Sequence, residues 1–440
     1  MDRFRLLFFV VLLFQPFIVS SQTYWKIENE HEDEILLTVE VNKEKNTFVA
    51  FSRKDALKEL AGVFTYTLAK AAGKLKYPEI VFIEGTTRSS KDTLLLNGTF
   101  NYFDKQFPFS ASLAGNQFNG KYLDPKGKSH SLQGVKMADV KPINDYASLI
   151  NLAFQITENS LVNPAWIRSD EWHDFKNKVN SLKTKISDDY ELAATFFWLG
   201  KKLPFSPYEL TKSRPHNKPN NRRNRARIRE QNSSVAILEG NSLPLNQNEM
   251  DSIAMIISTK RYAKLVIDLR GNSRISPASA NLLLNYIANK PFLAGAYLTR
   301  KWRDTGLVIP KSEDYKKVFK SFMDTDFSSE LFSKEQGRYL NVIPSKNNFK
   351  GKVYLLTDSK TARVAEMITY AVKNNKIGTI VGQKTAGNTF WAEYFKINGE
   401  YDLLLSGSEF FTGEGKSLNS IGVDPDVLRS GDELMHYILR

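Results

Sequence analysis

Acyl-transfer chemistry needs a nucleophile, a neighbour able to take its proton, and hydrogen-bond donors aimed at the oxygen that becomes negative. Few residues of this chain qualify. It contains no cysteine, which removes thiol nucleophiles, thiolate zinc sites, iron–sulfur clusters and disulfides together. Its five histidines, His31, His130, His173, His216 and His436, are scattered without metal-ligand spacing, so no metal or cofactor is expected. Two serines stand where a nucleophile could be displayed: Ser359 in "LTDSKTARVAE" and Ser206 in "LPFSPYEL", with His216 as a displaced base. The ordinary role of Ser359 is a turn or N-cap serine before a helix predicted from Thr361. His216 lies in a polar, Pro-flanked stretch and reads as solvated.

The elements that would hold such groups follow from hydrophobic periodicity. Short alternating runs from Ile35 to Met137 ("ILLTVEV", "NTFVAFS", "EIVFIEG", "DTLLLNGTFNYF", "FPFSASLAGNQFNGKYL", "SHSLQGVKM") predict an antiparallel meander. One helix, roughly Lys54 to Ala72, interrupts it, with Gly62 as its weak point. From Tyr146 to Lys201 the period becomes helical, predicting three helices with Ser169 and Ser187 as N-cap candidates. From Val235 strands and helices alternate. "VAILEG", "KLVIDLR" and "KVYLLT" are nearly all apolar, as strands covered on both faces must be, and helices are expected over 247–258, 277–289 and 361–373. Residues 302–350 form a partly helical excursion, and the chain ends in short strands, a turn at Asp424 and Pro425, and a closing helix. The fold class is therefore α+β and multidomain. An antiparallel β domain (22–140) precedes a helical segment (141–211), a linker (212–234) and an α/β domain with a largely parallel sheet (235–440).

Four segments of the last region stand in a telling order: "LVIDLRGN" (265–272), "GKVYLLTDSKTARVAE" (351–366), "IGTIVGQKTAGN" (377–388) and "SIGVDPDV" (420–427). Together they resemble the core of the tail-specific (C-terminal processing) serine peptidases. The resemblance implies a nucleophile at the helix start, a base, and a glycine pair after the Asp-Leu-Arg strand end. In active members the helix start reads Thr-Ala-Ser-Ala-Ala-Glu; here the nucleophile position holds Arg363. The position of the lysine base is Asn388, that of an upstream histidine base is Pro207, and the glycine pair is replaced by Arg274 and Ile275. Lys384, inside the Gly-x-x-Thr-x-Gly turn, falls in a different geometry. A guanidinium stays protonated and is no nucleophile.

The resemblance thus implies a degenerate peptidase that binds peptide or protein C-terminal segments in the old cleft. Its lining would be Arg363, Val364, Gly271, Asn272, Arg274, Thr385, Gly387 and Asn388. The alternatives are a working serine peptidase with a relocated site and a structural envelope protein. Arg363 in the first turn of a helix opposes the helix dipole, so a pair with Glu366 or Asp358 is expected to compensate it unless it captures an anion.

Charge adds a second feature. The chain has 440 residues with 61 Lys and Arg against 48 Asp and Glu, a formal charge of +13. Eight of the basic residues, Lys212, Arg214, Lys218, Arg222, Arg223, Arg225, Arg227 and Arg229, fall in one window without an acidic residue. The linker reads as solvated, or as attracted to an anionic envelope surface. Without aromatic interleaving or a reading motif, nucleic acid is not an expected partner. Arg3 and Arg5 before the apolar run Leu6 to Leu13, with Ser20 and Ser21 before Gln22, predict a cleaved export signal over 1–21. Export without cysteine points to a bacterial periplasm or secretion.

Overall fold

The structure is a computed structural model and describes residues 21–213, 227–239, 246–272, 275–322 and 335–440. Two compact units divide them. One comprises the chain to Ser148 plus Val179–Trp198; the other comprises Leu149–Lys178 plus Leu199–Arg440. The expected signal over 1–21 lies outside the described residues except for Ser21.

In the first unit the antiparallel runs close into a barrel of eight strands in sequential order. They are β1 (Ser21–Asn29), β2 (Glu34–Asn42), β3 (Thr47–Phe51), β4 (Val81–Ser90), β5 (Thr93–Tyr102), β6 (Lys105–Ala114), β7 (Gln117–Leu123) and β8 (Ser129–Met137). The predicted meander began at Ile35, yet β1 precedes it and pairs with both β2 and β8, which removes the free edges. Inward residues fill the interior: Trp25 and Phe118 meet at 6.0 Å, and Phe109 packs on Phe48 and Phe118. The single helix expected over 54–72 is two, α1 (Ala56–Ala61) and α2 (Val63–Ala71). Gly62 separates them at φ 81°, a conformation that an L side chain adopts only at a cost.

Three helices follow as predicted: α3 (Tyr146–Ser160), α4 (Asp170–Leu182) and α5 (Asp189–Gly200). Ser169 caps α4 by accepting from the Trp172 amide. At α5 the cap is Asp188 rather than Ser187, because the carboxylate reaches the Glu191 amide at 2.8 Å while Ser187 instead donates to the Glu191 carboxylate. Asp188 and Asp189 also accept from the Leu36 and Glu34 amides of β2.

The second unit holds two sheets. The first has the order β10 (Ile228–Asn232), β11 (Val235–Glu239), β12 (Lys264–Asp268), β16 (Lys352–Thr357), β17 (Thr379–Gly382) and β20 (Val427–Leu428). All of its pairs are parallel except β10 with β11. Helices α6 (Gln247–Lys260), α7 (Pro277–Ile287) and α10 (Val364–Asn374) bury their apolar residues in one core with this sheet. Leu434 and Ile438 of α11 (Glu433–Leu439) join Val235, Ile237, Val266, Leu356 and Val381 in another. Coverage on both faces explains why β11, β12 and β16 read as unbroken apolar runs.

The second sheet was not anticipated. It has the order β14 (Lys320–Ser321), β15 (Gly337–Val342), β13 (Phe292–Thr299), β19 (Tyr401–Thr412) and β18 (Phe390–Ile397), and β9 (Glu209–Lys212) adds to β19. The excursion after Trp302 thus supplies two of its strands as well as two short helices, α8 (Arg300–Asp304) and α9 (Ser312–Val318). Tyr297 and Phe410, paired across β13 and β19, join the main core.

Candidate functional site

The strand β16 delivers the chain to its buried end at Thr357, and the next six residues turn it into α10. Asp358, Thr361, Ala362 and Arg363 are each held from outside the turn. Asp358 accepts from the amides of Gly271 (2.9 Å) and Lys360 (3.0 Å). Burial alone would raise its pKa, but these bonds and those from Thr361 keep the carboxyl below the usual range. Thr361 is fully buried, with its hydroxyl 3.0 Å from the Leu269 carbonyl and its own carbonyl accepting from Ala386. Ala362 donates to the Asn272 carbonyl.

Arg363 follows with φ 59° and ψ −125°. The amide of Ala365 donates to the carbonyl of Ala362 at 3.2 Å, so residues 362–365 form a type II′ turn with Arg363 at its first central position. That position favours glycine; an arginine there costs on the order of 1–3 kcal/mol of backbone strain. The helix accordingly starts at Val364, not at the expected Thr361, and Arg363 is its N-cap residue. The backbone bonds that commit Thr361 and Ala362 to neighbouring loops prevent an earlier start.

The two positions that the resemblance assigns to nucleophile and lysine base meet directly: the Arg363 amide donates to the Asn388 carbonyl at 2.6 Å. Glu366 fixes the turn that carries Asn388. Its fully buried carboxylate accepts from the Thr385 hydroxyl (2.5 Å), the Gly387 amide (2.7 Å) and the Asn388 amide (2.7 Å). Burial raises its pKa, and these donors pull the other way without cancelling the rise. Glu366 thus clamps α10 to the Gly-x-x-Thr-x-Gly turn. Its sequence signal was an acid on the otherwise apolar face of α10.

The closing segment completes the arrangement. The Thr385 hydroxyl accepts from the Val423 amide, the Thr385 amide donates to the Val423 carbonyl, and Ser420 donates to the Gly387 carbonyl. Gly387 and Gly422, both at φ near 70°, pass so closely that a Cβ on Gly422 would lie 2.7 Å from the Thr385 carbonyl. All four sequence segments thus converge on the head of α10. Of the proposed lining, Gly271, Asn272, Thr385, Gly387 and Asn388 belong to this one hydrogen-bonded cluster around Arg363, and Val364 is buried in the main core.

Other expected participants lie elsewhere. Arg274 and His216 fall outside the described residues, as do Arg214, Lys218, Arg222, Arg223 and Arg225 of the basic window. Lys212 is in β9, Arg227 precedes β10, and Arg229 within β10 contacts Gln231 and Glu239. Ser359 is exposed in the turn before α10. Ser206 and Pro207 join through a cis peptide, and the adjacent Phe205 stacks on Trp166, whose ring also meets Phe390 at 4.9 Å. Lys384 pairs with Asp424.

Two further buried groups carried no sequence signal, and the first of them is coupled to the cluster. The Tyr297 hydroxyl is fully buried without a hydrogen-bond partner among the described residues. Burial pushes the phenol far up, Glu366 adds to the rise, and the Arg363 guanidinium opposes it. Glu393 lies over the Gly407 backbone with Oε1 buried and without a hydrogen-bond partner among the described residues, and burial pushes its pKa up to about 8.

A buried parallel strand leading through a tight turn, with a positive-φ residue at a helix N-terminus, is a framework known in serine hydrolases for displaying a nucleophile. Residues 234–429 match the model of peptidase family S41. Comparison with curated proteins returns no match. A lipoprotein from Streptococcus agalactiae is similar in structure at 13% identity, covering 69% of this chain and 98% of that one with a TM-score of 0.43. A putative peptidase from Parabacteroides merdae matches at 13% identity, 67% and 93% coverage and 0.44. For a photosystem II D1 C-terminal processing protease the values are 11%, 78%, 69% and 0.32. Among the described residues no helix is long and apolar enough to cross a membrane.

Proposed function

We propose that this chain is an exported, catalytically degenerate S41 protein that binds peptide or protein segments through the site where its relatives cleave them. The observation that carries this reading is Arg363. The II′ turn at the head of α10 keeps a strained backbone, as a displayed nucleophile would require, but the side chain displayed is a permanent cation. Removing the nucleophile of a serine peptidase costs about a millionfold in rate, so ordinary turnover is lost. A guanidinium next to a helix N-terminus is chemistry suited to a carboxylate such as a peptide C-terminus.

The test is calorimetric titration of the full chain with a peptide library presented as free acids and as C-terminal amides. Free acids bind the wild type, amides bind at least tenfold more weakly, and Arg363→Ala abolishes the difference. Equal binding of acids and amides, or covalent labelling by a fluorophosphonate probe that a single serine substitution removes, overturns the reading.

A further inference from the structure

Three asparagines of this chain precede a glycine: Asn97, Asn119 and Asn398. All three are exposed, so exposure does not tell them apart. Glycine leaves the amide nitrogen after the asparagine unshielded by a Cβ, and that nitrogen is the nearest nucleophile to the side-chain carbonyl. Backbone geometry decides whether the two meet. Asn97 and Gly98 lie inside β5, which pairs with β4 and β6, and Asn119 and Gly120 lie inside β7, which pairs with β6 and β8. A strand paired on both sides commits its amides to the ladder and holds the chain extended, away from the geometry that attack requires.

Asn398 and Gly399 instead form the turn between β18 and β19, at φ 46° and 82°. The Gly399 amide donates to no acceptor among the described residues, and open space surrounds the place a Cβ would take. The Glu400 amide donates to Oδ1 of Asn398 at 3.3 Å as well as to the Ile397 carbonyl. That bond polarises the side-chain carbonyl and aims a donor at the oxygen that turns negative when Cγ is attacked. An uncommitted nucleophile, a polarised electrophile and an oxyanion donor thus stand on three successive residues.

We propose that Asn398 is a modification site at which the chain converts its own asparagine to aspartate and isoaspartate. The Gly399 nitrogen gives its proton to hydroxide and bonds to Cγ of Asn398. The Cγ–Nδ2 bond breaks, Nδ2 takes a proton from water and leaves as ammonia, and a succinimide closes. Water then opens either carbonyl of the ring, so the sum is asparagine plus water giving ammonia and a carboxylic acid. Opening at one carbonyl gives aspartate. Opening at the other gives isoaspartate, which puts an extra methylene into the backbone of a turn whose ends, Ile397 and Tyr401, are paired. Reaching the same geometry in β5 or β7 requires breaking ladder hydrogen bonds, so Asn398 reacts at least about tenfold faster than Asn97 or Asn119 in the folded chain.

The test holds the full chain at mildly alkaline pH in water enriched in heavy oxygen, then digests it in ordinary water for mass spectrometry. Heavy oxygen is expected in the peptide that carries Asn398 well before those that carry Asn97 and Asn119. A protein isoaspartate methyltransferase with labelled methyl donor then marks the same peptide, and Asn398→Gln removes that mark. In urea, where the strands are lost, the three sites are expected to convert at similar rates. The proposal falls if the folded chain converts Asn97 or Asn119 as fast as Asn398, if Asn398 stays intact, or if Asn398 leads by the same factor in urea, where the fold no longer distinguishes the sites.

Discussion

The amide of Arg363 donates to the carbonyl of Asn388 at 2.6 Å, so two positions 25 residues apart in the chain share one hydrogen bond at the head of α10. The resemblance of the C-terminal region assigns the nucleophile to one of these positions and a base to the other. The backbone brings the two positions together, and on the proposed reading neither side chain does the chemistry.

This proximity makes gain of reactivity testable. Arg363→Ser alone places a hydroxyl on the II′ turn without a base, and Asn388→Lys alone places a base without a nucleophile. Only the double variant is expected to take a fluorophosphonate label. Because Arg274 and Ile275 replace the glycine pair, its rate should stay about a hundredfold or more below that of a complete site. Time-resolved in-gel fluorescence measures it. Equal labelling of either single variant would show that the two positions do not cooperate.

The strain at Arg363 predicts a separation of stability from binding. Arg363→Gly relieves a φ of 59° and ψ of −125°, so the midpoint of urea unfolding should stay unchanged or rise by the equivalent of about 1 kcal/mol. Binding of free-acid peptides should be lost in the same variant. A substantially less stable Gly variant would mean that the arginine side chain, rather than the turn, holds this part of the fold.

The convergence of the four segments was legible because each motif carries its own residues, and the parallel strands were legible because two-sided burial leaves unbroken apolar runs. Other features were hidden for physical reasons. Barrel closure depends on pairing Tyr24 with Met137, a register that no local pattern encodes. Strand β19 buries Ser406, Ser408 and Glu409 and shifts register around Gly407, so its alternation fails as a signal. The positive φ at Arg363 runs against residue type altogether, since arginine in a glycine conformation is imposed by the surrounding bonds. The Glu366 clamp was visible only as an acid on an apolar helix face; its three donors come from a turn some 20 residues away.

Glu366 is expected to matter for stability more than for charge. Glu366→Ala leaves one hydroxyl and two backbone amides buried without their acceptor, a loss of about 3 kcal/mol or more. For a unit of this size, melting should fall by roughly 6–12 °C. Differential scanning calorimetry measures it, and a change below about 1 kcal/mol would show that the turn is held by its contacts to Val423 and Ser420 alone.

Two buried carboxyls, one in each unit, contribute to the pH dependence alongside Glu366. Burial raises Asp188 to about 7, with the charge of Glu191 adding to the shift, and raises Glu393 to about 8. Both folded-state values lie above those of the unfolded chain, so the native state holds protons that the unfolded state releases. Their stabilising contribution is complete below about pH 4, declines as pH rises, and is gone above about 8. Denaturant midpoints should therefore fall between pH 5 and 8 beyond what surface groups produce. Glu393→Gln removes one titrating group and its unpartnered oxygen becomes part of a neutral amide, so the slope of the second unit should flatten and its stability at pH 8 should rise. Asp188 differs because both its oxygens accept backbone amides, from Leu36 and Glu191. Asp188→Asn gives up one of those acceptors, so it should flatten the slope of the barrel unit while lowering its stability at every pH. Urea unfolding of both variants across that range, followed by tryptophan fluorescence, separates the two groups; an unchanged slope in Glu393→Gln would place that carboxyl in contact with solvent.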